Sequence, residues 1–493
     1  MMKKDLINLK YITSRIDFPF LFLLIGLANV KLSVKVAVTV VYILLRWTTL
    51  RRQQERMPAP FRFYLLLPVA GMAGALLNLP ETMPSNFLAP QFFALFHWLF
   101  SALIFALLTI EVRQKEADLL FRTFTLFFLC NVGMSLYDLW QVIVATGTWN
   151  PYHLHDLTYG ISTGDHIQGI FRDSSVVNAL FNAIAFFYFL GRKKHLPAML
   201  AVCTGLLCTS NMVVIFMLIT FITISLFLRQ RHIGIILTGY CLLIAGGYLL
   251  LSPQNVHYVS NKFLSISCTV PESPVQTMPE LPAPANPQPT ASQHVAPESL
   301  PQTTVVVQPQ APVAEAPAVM QTAPRLPSYE GRIGKLEAFK QTVHYVSGNL
   351  FHALLGAGMG NFSSKTAYKF SDMKLYGGMN PRWQFNHPDF EANHAGITRY
   401  FLSQDVGKHS ITNFPNSIYL QILGEYGFIG LALFLALYVG YFIRNWRWLT
   451  YGKYIVLIMA MAFSLEYWFE FLSIVFFAEL LILSDLKSHK AIL

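Results

Sequence analysis

The sequence predicts an all-α integral membrane protein with about 12 transmembrane helices and one large outer loop. Hydrophobic residues make up 54% of the 493 residues and charged residues only 13%, against about 25% charged residues in soluble domains. Apolar runs of about 20 residues recur along the chain, and this length crosses the hydrocarbon of a bilayer. A soluble protein with a large core does not explain such recurrent runs.

The predicted spans follow the apolar runs in chain order. They are 17–30, 34–46, 61–79, 90–111, 120–145, 175–190, 196–209, 211–228, 233–251, 418–443, 453–467 and 469–484. The basic N-terminus, Met1–Lys10, lacks a small-residue cleavage site and is followed at once by further spans. We therefore expect a retained first helix rather than a cleaved signal peptide.

Charge in the short connections gives the orientation. If the N-terminus is cytoplasmic and the spans alternate, the basic loops 46–56, 112–122, 191–195, 229–232 and 444–447 all lie inside. The outer connections near 80–88, 147–172 and 209–211 hold one basic residue, Arg172. This distribution follows the positive-inside rule and places both termini in the cytoplasm.

The overall charge and the cysteines exclude several classes of protein. The net charge is +10, but the basic residues are explained by orientation, and no basic-aromatic patch indicates a nucleic-acid partner. The five Cys have no paired spacing that would indicate a disulfide framework or a metal site. No P-loop, Asp-x-Asp pair or His-Glu-x-x-His motif is present. We therefore expect no cofactor, no nucleotide and no metal.

The long loop divides the chain into four regions. Residues 1–251 hold spans one to nine, and residues 416–493 hold the last three. Between them, residues 252–327 form a Pro-rich part of the loop, and residues 328–415 form an ordered outer-loop domain. Residues 271–327 contain 14 of the 27 Pro of the chain, and this composition predicts disorder because it cannot bury a core.

The ordered part of the loop begins with an amphipathic pattern over Tyr329–Ser347. Its apolar face comprises Ile333, Leu336, Phe339, Val343 and Val346. A Gly-rich turn at 354–360 follows, and then a stretch rich in Asn, His and aromatic residues. Aromatic rings stack on sugar rings while amides bind hydroxyl groups, so this composition suits a sugar ligand.

A local motif lies where the loop re-enters the membrane. Ser417 is followed after nine residues by Gly427 and after two more by Gly430. This spacing resembles the signature of the O-antigen ligase and O-antigen polymerase superfamily, which has His, then Asn, Ser or Gln, nine residues, Gly, two residues and Gly. Asn416 occupies the position of the family's His.

Three other stretches add to the resemblance, which covers about residues 160–445. Gly169–Ala179 resembles the family's entry into a middle span, and Leu206–Asn211 resembles its Thr-x-Ser-Arg outer turn, with Asn211 where Arg is common. Arg332–Asn361 resembles the Arg, helix and Gly-x-Gly block that opens the family's catalytic loop. The Pro-rich insert is not typical of the family.

The resemblance implies a metal-independent glycosyltransferase of the bacterial cytoplasmic (inner) membrane. Its expected reaction is polymerisation of undecaprenyl-diphosphate-linked oligosaccharide repeat units into a surface polysaccharide, at the outer face of that membrane. Asn416 favours a polymerase over the alternative, an O-antigen ligase or protein O-oligosaccharyltransferase. Two other classes stay open: a flippase or other transporter of lipid-linked sugars, and a non-catalytic assembly or sensor protein. The expected partners are the lipid-linked oligosaccharide and the membrane, and other polysaccharide-assembly proteins stay open.

Four residues are the candidates for catalysis. Arg172 and Arg332 are predicted outside, near span ends, where a guanidinium would bind the lipid diphosphate bidentately. Asn416 would position a sugar or phosphate, because an amide cannot serve as a general base. Glu425 lies within a predicted span, where an ionisable group is costly and therefore indicates function.

The remaining candidates bind substrate or accept a proton. The predicted substrate-binding residues are Asp173, His387, His394, Ser417 and Tyr419. The identity of the general base stays open, and the candidates are Asp173, Asp389, Glu391, His387, His394, His409 and Glu425.

Overall fold

The computed structural model describes most of the helical part of the chain. The described residues are 15–51, 57–79, 86–153, 163–172, 174–227, 238–244, 246–247, 329–404, 409, 411 and 413–489. One compact unit comprises Met1–Val259 with Leu326–Leu493, and a second comprises Ser260–Arg325. The second unit and the predicted Pro-rich part, 252–327, lie outside the described residues, so the disorder of that part stays a prediction.

Regular secondary structure in the described residues is helical throughout. The N-terminal half contains α1 Phe18–Ala28, α2 Leu32–Leu50, α3 Ala59–Leu77, α4 Leu88–Gln114, α5 Ala117–Thr146, α6 Ser175–Gly191, α7 His195–Leu207 and α8 Asn211–Phe227. The C-terminal half contains α9 Gly334–Gly348, α10 Leu350–Leu355, α11 Lys365–Phe370, α12 Gly396–Leu402, α13 Ile418–Leu433, α14 Gly452–Ala462, α15 Trp468–Phe471 and α16 Ser473–Ser488. A π-helical turn, Glu391–Ala395, precedes α12, and α13 continues through Phe434–Val439 and Gly440–Arg444.

Side-chain caps set several of these helix starts. The Asp17 side chain accepts a hydrogen bond from the backbone N–H of Phe20 at 2.9 Å and begins α1. Ser174 caps α6 and Ser364 caps α11 in the same way. Each cap satisfies a backbone donor that the first turn leaves without a partner. α5 ends at Gly147, whose φ of 68° is costly for other residues.

Among the described residues, the helices coincide approximately with the predicted spans, apart from the last predicted span. Four are long and apolar enough to cross a membrane: Ala59–Leu77, Leu88–Gln114, Ala117–Thr146 and Ile418–Trp448. They indicate a membrane-embedded, all-α protein. The count of about 12 spans and the orientation stay predictions.

Two helices form the centre of the bundle. Every residue of α16 from Ser473 to Leu486 is buried, and α6 is buried over almost its whole length. α16 packs against α4, α14 and α6, and the Phe127 ring of α5 stacks on Phe477 with centroids 4.8 Å apart. A helix that is apolar all round must be enclosed by other helices or by lipid, and here protein encloses both.

An ionic cluster ties three helices together at one end of the bundle. Asp17, before α1, pairs with Arg46 of α2 and with Lys115 at the end of α4, both at 2.5 Å. Lys115 also pairs with Glu111. Lys487 of α16 donates to the carbonyl oxygen of Val112 at 2.6 Å and so satisfies an acceptor at the C-terminus of α4. In the predicted topology this end is cytoplasmic.

The glycines of the sequence motif have a structural role in α13. Gly427 interrupts the helix with a φ of 61°, and a Cβ there would lie 2.5 Å from the carbonyl carbon of Leu354. A Cβ on Gly430 would lie 2.1 Å from that of Tyr426. The Gly-rich turn 354–360 docks against this break, since the N–H of Ala357 donates to the carbonyl oxygen of Gly424 at 2.9 Å. Both glycines are therefore needed for packing.

Two elements differ from the sequence prediction. The predicted span 469–484 is divided at Leu472, whose φ is 70°, into α15 and α16. The division interrupts the helix, so the long helix begins at Ser473. The second difference concerns α9, in which Val346 is buried whereas the rest of the predicted apolar face is exposed.

Candidate anion-binding cavity

A cavity of about 600 Å³ lies where the α1–α2 turn, α4, the segment before α6, α11 and α15 meet. Five basic residues line it: Lys31, Lys35, Arg172, Lys365 and Lys369. Glu470 is the sole carboxylate among the described residues that line it. The described lining therefore carries a formal excess of four positive charges, which favours an anionic ligand.

The first helical hairpin supplies two of these lysines. Lys31 lies in the turn between α1 and α2, where its backbone N–H donates to the Asn29 side chain at 2.9 Å. Lys35 lies in the first turn of α2 and is 2% exposed. Its ammonium donates to the carbonyl oxygen of Phe471 at 2.8 Å and to Ser473 Oγ at 2.7 Å. Lys35 therefore joins the hairpin to the α15–α16 break that forms the opposite wall.

Arg172 is positioned by a buried carboxylate of α5. Asp138 accepts a hydrogen bond from the Arg172 guanidinium at 2.7 Å and others from the backbone N–H groups of Gln168 and Gly169 at 3.1 and 2.8 Å. Arg172 has a φ of 52°, which is uncommon for a non-glycine residue. Its side chain stays 45% exposed, and a guanidinium has five N–H donors, so further donors can reach a ligand.

Polar side chains inside the bundle hold the segment that carries Arg172. Asn131 of α5 accepts a hydrogen bond from the N–H of Ile170 at 3.0 Å and donates to Asn178 of α6 at 2.8 Å. Asn178 donates to Ser135 Oγ at 2.9 Å and to the carbonyl oxygen of Ile167 at 3.1 Å. These buried amides fix the loop against two helices and so set the direction of the guanidinium.

α11 places two lysines on one face of a single helical turn, because Lys365 and Lys369 are four positions apart. Lys365 Nζ lies 3.6 Å from the ring centroid of Phe471, a cation–π contact that orients the ammonium. Lys369 donates to the carbonyl oxygen of Tyr376 at 3.0 Å. Burial lowers the pKa of Lys369, and a bound anion would oppose that shift.

Glu470 is held rigidly at the cavity wall. One carboxylate oxygen accepts a hydrogen bond from the N–H of Thr366 at 2.8 Å, and the other accepts from Gln421 Nε2 at 2.7 Å. These donors come from α11 and α13, so Glu470 of α15 joins three helices. Glu425 interacts with it electrostatically from α13.

Asn416 lies one contact away from the cavity. Its amide donates to the Tyr376 hydroxyl at 2.8 Å and to Glu466 at 3.0 Å, and the Tyr376 hydroxyl donates to Glu466 at 3.0 Å. Tyr376 lines the cavity. Asn416 therefore positions a wall residue, consistent with an amide that orients rather than transfers a proton.

Lys335 of α9 fixes the backbone around Asn416. Its ammonium donates to the carbonyl oxygens of Asn416 and Leu465, the latter at 3.1 Å. Burial lowers the pKa of Lys335 to about 8, and the charge of Glu466 opposes the shift. The sequence does not single out this lysine.

Three predicted site residues of α13 and its start make hydrogen bonds with backbone groups. Glu425 is fully buried and accepts a hydrogen bond from the N–H of Phe362 at 3.3 Å, next to the Gly-rich turn. Ser417 Oγ donates to the carbonyl oxygen of Phe463 at 3.2 Å, and the Tyr419 hydroxyl donates to that of Ala460 at 2.6 Å. None of Glu425, Ser417 and Tyr419 lines the cavity.

The predicted histidines are buried within segment 329–417 and do not line the cavity either. His394 is fully buried, with Nε2 3.1 Å from Thr342 Oγ1, and burial lowers its pKa to about 4. His387 Nδ1 accepts from the N–H of Asp389 at 3.2 Å. The pKa of His387 is lowered, because the effect of burial exceeds the opposing effect of the Asp389 charge.

The other candidate bases also have partners outside the cavity. Asp389 accepts a hydrogen bond from the Tyr345 hydroxyl at 2.8 Å. Glu391 pairs with Arg399, and His409 lies 3.0 Å from the carbonyl oxygen of Gln404. These contacts stabilise the fold of the segment.

Arg332 and Asp173 complete the predicted set. The Arg332 side chain is 57% exposed, pairs with Glu337 at 3.3 Å and does not line the cavity. Asp173 lies outside the described residues. The structure therefore separates the two arginines that the sequence treats alike.

The chain matches no protein-family model, no curated protein and no solved structure. Among the described residues, no group of three His, Cys, Asp or Glu side chains could hold a metal ion. The proposed function therefore rests on the cationic cavity.

Five charged residues of the cavity lining are not among the predicted site residues: Lys31, Lys35, Lys365, Lys369 and Glu470. Three of them carry a signal in the sequence. Lys31 lies in a turn that the predicted topology places outside, against the positive-inside rule, and Lys35 lies within the start of an apolar span. Glu470 lies within the predicted span 469–484, where an ionisable group is as costly as it is for Glu425. Lys365 and Lys369 have no local signal, because they meet the hairpin only through the fold.

Proposed function

We propose that the protein is a membrane glycosyltransferase that polymerises undecaprenyl-diphosphate-linked oligosaccharide repeat units, and that the cavity binds the diphosphate. The cluster of five basic side chains around the cavity carries this proposal. Lysine and arginine are the side chains that bind phosphate oxygens, lysine as a point charge and arginine as a planar fork. The volume of about 600 Å³ falls within the range of small-ligand pockets.

The predicted topology supports the same assignment. The lining comes from the first hairpin turn, the connection before α6, segment 329–417 and the turn between the last two predicted spans. The charge alternation places all four of these segments outside, although they are far apart in sequence. Their convergence on one cavity agrees with a site at the outer face of the membrane, where lipid-linked repeat units are displayed.

The chemistry assigned to the cavity is a displacement at the anomeric carbon. A hydroxyl oxygen of the acceptor repeat unit forms a bond to that carbon, and the bond from the carbon to the diphosphate oxygen breaks. The diphosphate leaves as an anion, and Arg172, Lys365 and Lys369 stabilise its charge. Glu470 is proposed to accept the proton of the attacking hydroxyl, because it is the sole carboxylate in the described lining.

The choice among related functions rests on Asn416. In the resembling family, His at this position accompanies ligation, and an amide cannot replace it as a proton acceptor. We therefore propose a polymerase ahead of an O-antigen ligase or protein O-oligosaccharyltransferase, which would use the same cavity. A flippase of lipid-linked sugars is the candidate from another class, since it too would need to bind the diphosphate.

The product of the purified protein distinguishes these functions. Protein in proteoliposomes is supplied with lipid-linked repeat units isolated from the same cells, and the products are separated by size. A ladder on the lipid carrier supports the polymerase, and a single transfer to lipid A or to protein supports the ligase. Movement of the lipid across the bilayer without a new glycosidic bond would instead assign a flippase. Glu470→Gln should abolish the ladder, whereas Arg382→Ala, at an exposed arginine outside the cavity, should preserve it.

A further inference from the structure

Helix α9 presents an apolar face that no part of the described chain covers. Leu336, Phe339 and Val343 are spaced three and four positions apart, so they share one face. Their exposed fractions are 52%, 51% and 41%, and Ile333, just before the helix, is 56% exposed. In water such a stripe would be unfavourable, because burial of each large apolar side chain is worth about 1.5–3 kcal/mol.

The opposite face of α9 is the one that packs against the protein. Gly334, Ala338 and Thr342 are buried there, and Tyr345 donates its hydroxyl hydrogen to Asp389. A Cβ on Gly334 would lie 1.8 Å from the carbonyl oxygen of Asn413, so larger residues cannot take its place. The helix therefore cannot simply rotate to bury its apolar stripe.

The uncovered apolar surface continues from α9 into α10. Leu350, Phe351 and Leu354 are 69%, 55% and 41% exposed. In the described part of segment 329–417, seven of the eight exposed large hydrophobic side chains belong to this stretch, 333–354, and the eighth is Trp383. The exposure is thus a property of these two helices rather than of the segment as a whole.

This surface adjoins helices that are long enough to cross the membrane. α10 packs against both α3 and α13. Leu76 and Leu77 of α3 are each 58% exposed, and Phe428 of α13 is 53% exposed. Side chains of a spanning helix that are exposed in this way face lipid. The apolar surface of α9 and α10 therefore lies beside a lipid-facing surface.

Polar and basic side chains border the apolar stripe. Lys340 and His344 are exposed on α9, and Arg332 is exposed just before it. Lysine and arginine can lay their aliphatic stems along an apolar surface and keep their charge in the headgroup region. An apolar stripe with basic flanks is the pattern of a helix that lies in a membrane interface.

We propose that α9 and α10 lie on the membrane surface, with residues 333, 336, 339, 343, 350, 351 and 354 in the boundary between the lipid headgroups and the acyl chains. The lipid bilayer is the occupant of this face. The proposal goes beyond the proposed function, since it holds whether or not the protein transfers sugars.

This placement has a consequence for the cavity. Lys335 lies on α9 and binds the carbonyl oxygen of Asn416, whose amide binds Tyr376 in the cavity wall. A helix seated on the bilayer surface is thereby joined to the cavity through two residues. The cavity wall is held near the depth at which lipid headgroups lie.

Site-specific photo-crosslinking in intact membranes tests the placement directly. The photoreactive residue p-benzoylphenylalanine replaces Phe339 or Val343 in the otherwise native full-length chain. Leu76, on the lipid-facing side of α3, is the positive control, and Trp383, the exposed large side chain outside this stretch, is the negative control. Adducts are identified by mass spectrometry of the purified protein.

Phospholipid adducts at 339 and 343, as at 76, and none at 383 are the expected result. Covalent dimers at 339 would overturn the proposal and show that a second copy of the chain covers the face. Unmodified protein at 339 alongside a lipid adduct at 76 would also overturn the proposal, because the face would then meet water rather than lipid. No lipid adduct at 76 would also overturn it, because the adjoining surface would then not face lipid.

Discussion

Two helices of segment 329–417 meet opposite environments. α11 turns Lys365 and Lys369 inward to the cavity, whereas α9 turns Leu336, Phe339 and Val343 outward. In a soluble protein the reverse arrangement is expected, with charges outside and apolar side chains inside. The proposed placement of α9 on the bilayer accounts for the apolar side of this inversion, and the cavity lined by basic residues accounts for the charged side.

The inward faces explain how both arrangements are stable. α9 packs through Gly334, Ala338 and Thr342, which are small enough for close approach. On α11, Lys369 makes a hydrogen bond to a backbone carbonyl group and Lys365 makes a ring contact, so neither ammonium is buried without a partner. The difference between the two helices can be tested by substitutions in the cavity and by substitutions on α9.

Reversal of one charge in the cavity should have the largest effect. Lys365→Glu places a second carboxylate beside Glu470 and removes an ammonium, so polymer synthesis in cells should fall on the order of 100-fold or more. The matched control is Arg382→Glu, which makes the same change of charge outside the cavity and should leave synthesis unchanged. Equal effects of the two variants at matched protein levels would refute a local role for the cavity.

The next largest effect is expected from Arg172, and substitution of Arg332 should have a much smaller one. Arg172→Lys keeps the charge but loses the fork and the hydrogen bond to Asp138, so polymerisation should slow by about tenfold to a hundredfold. Arg332→Lys should change it little, because the Arg332 guanidinium pairs with Glu337 outside the cavity. Chain length of the polymer, measured at matched expression, distinguishes them. A strong defect in Arg332→Lys alone would favour the role that the sequence resemblance implies for that residue.

Substitutions on the inward face of α9 should lower the stability of the protein, whereas substitutions on its exposed face should not. Ala338→Leu overpacks a fully buried position and should destabilise the protein by about 1–3 kcal/mol. Leu336→Ala shortens an exposed side chain and should leave the melting temperature in detergent nearly unchanged. If the apolar face were the buried one, Leu336→Ala would be the more damaging change, by about 2–5 kcal/mol.

The smallest expected effect is that of acid on His394, which contacts Thr342 and Ala338 of α9. Burial lowers the pKa of His394 to about 4 from an ordinary value of 6.5, so the unfolded segment binds a proton in a range where the folded segment does not. Stability contributed by this group is therefore present above pH 6.5 and is lost as the pH falls toward 4. His394→Gln should flatten this part of the pH profile of thermal unfolding, and the exposed His344→Gln should not. Identical profiles for native protein and His394→Gln would contradict the assignment.

The all-helical class and the four long apolar helices follow from the sequence, because each of these helices is a continuous apolar run. The break at Leu472 does not follow from it. The sequence also singles out Arg172, a basic residue in a predicted outer connection, and the same charge rule could have pointed to Lys31. It could not find Lys365, whose ring partner Phe471 lies far along the chain. Nor could it separate Glu470 from the other acidic residues of the predicted spans. Periodicity likewise gives the apolar face of α9 without saying whether protein or lipid covers it.

Several residues that were chosen for their chemistry alone lie away from the cavity lining. Glu425 is a charged residue in a span, as its selection required, but it supports the Gly-rich turn rather than lining the cavity. His394 is fully buried, with Nε2 3.1 Å from Thr342 Oγ1. A single side chain cannot reveal which of its neighbours the fold will supply, so burial and partners decide between a structural and a catalytic role.

Direct ligand binding tests the central claim, that the cationic cavity is a diphosphate site. The protein in nanodiscs is titrated with undecaprenyl diphosphate and, separately, with undecaprenol, which lacks phosphate, and bound lipid is counted by native mass spectrometry. We predict saturable binding of the diphosphate lipid that Lys365→Glu abolishes and Arg382→Glu preserves, with undecaprenol much weaker. Equal binding of both lipids, or equal binding by native protein and Lys365→Glu, would contradict the claim.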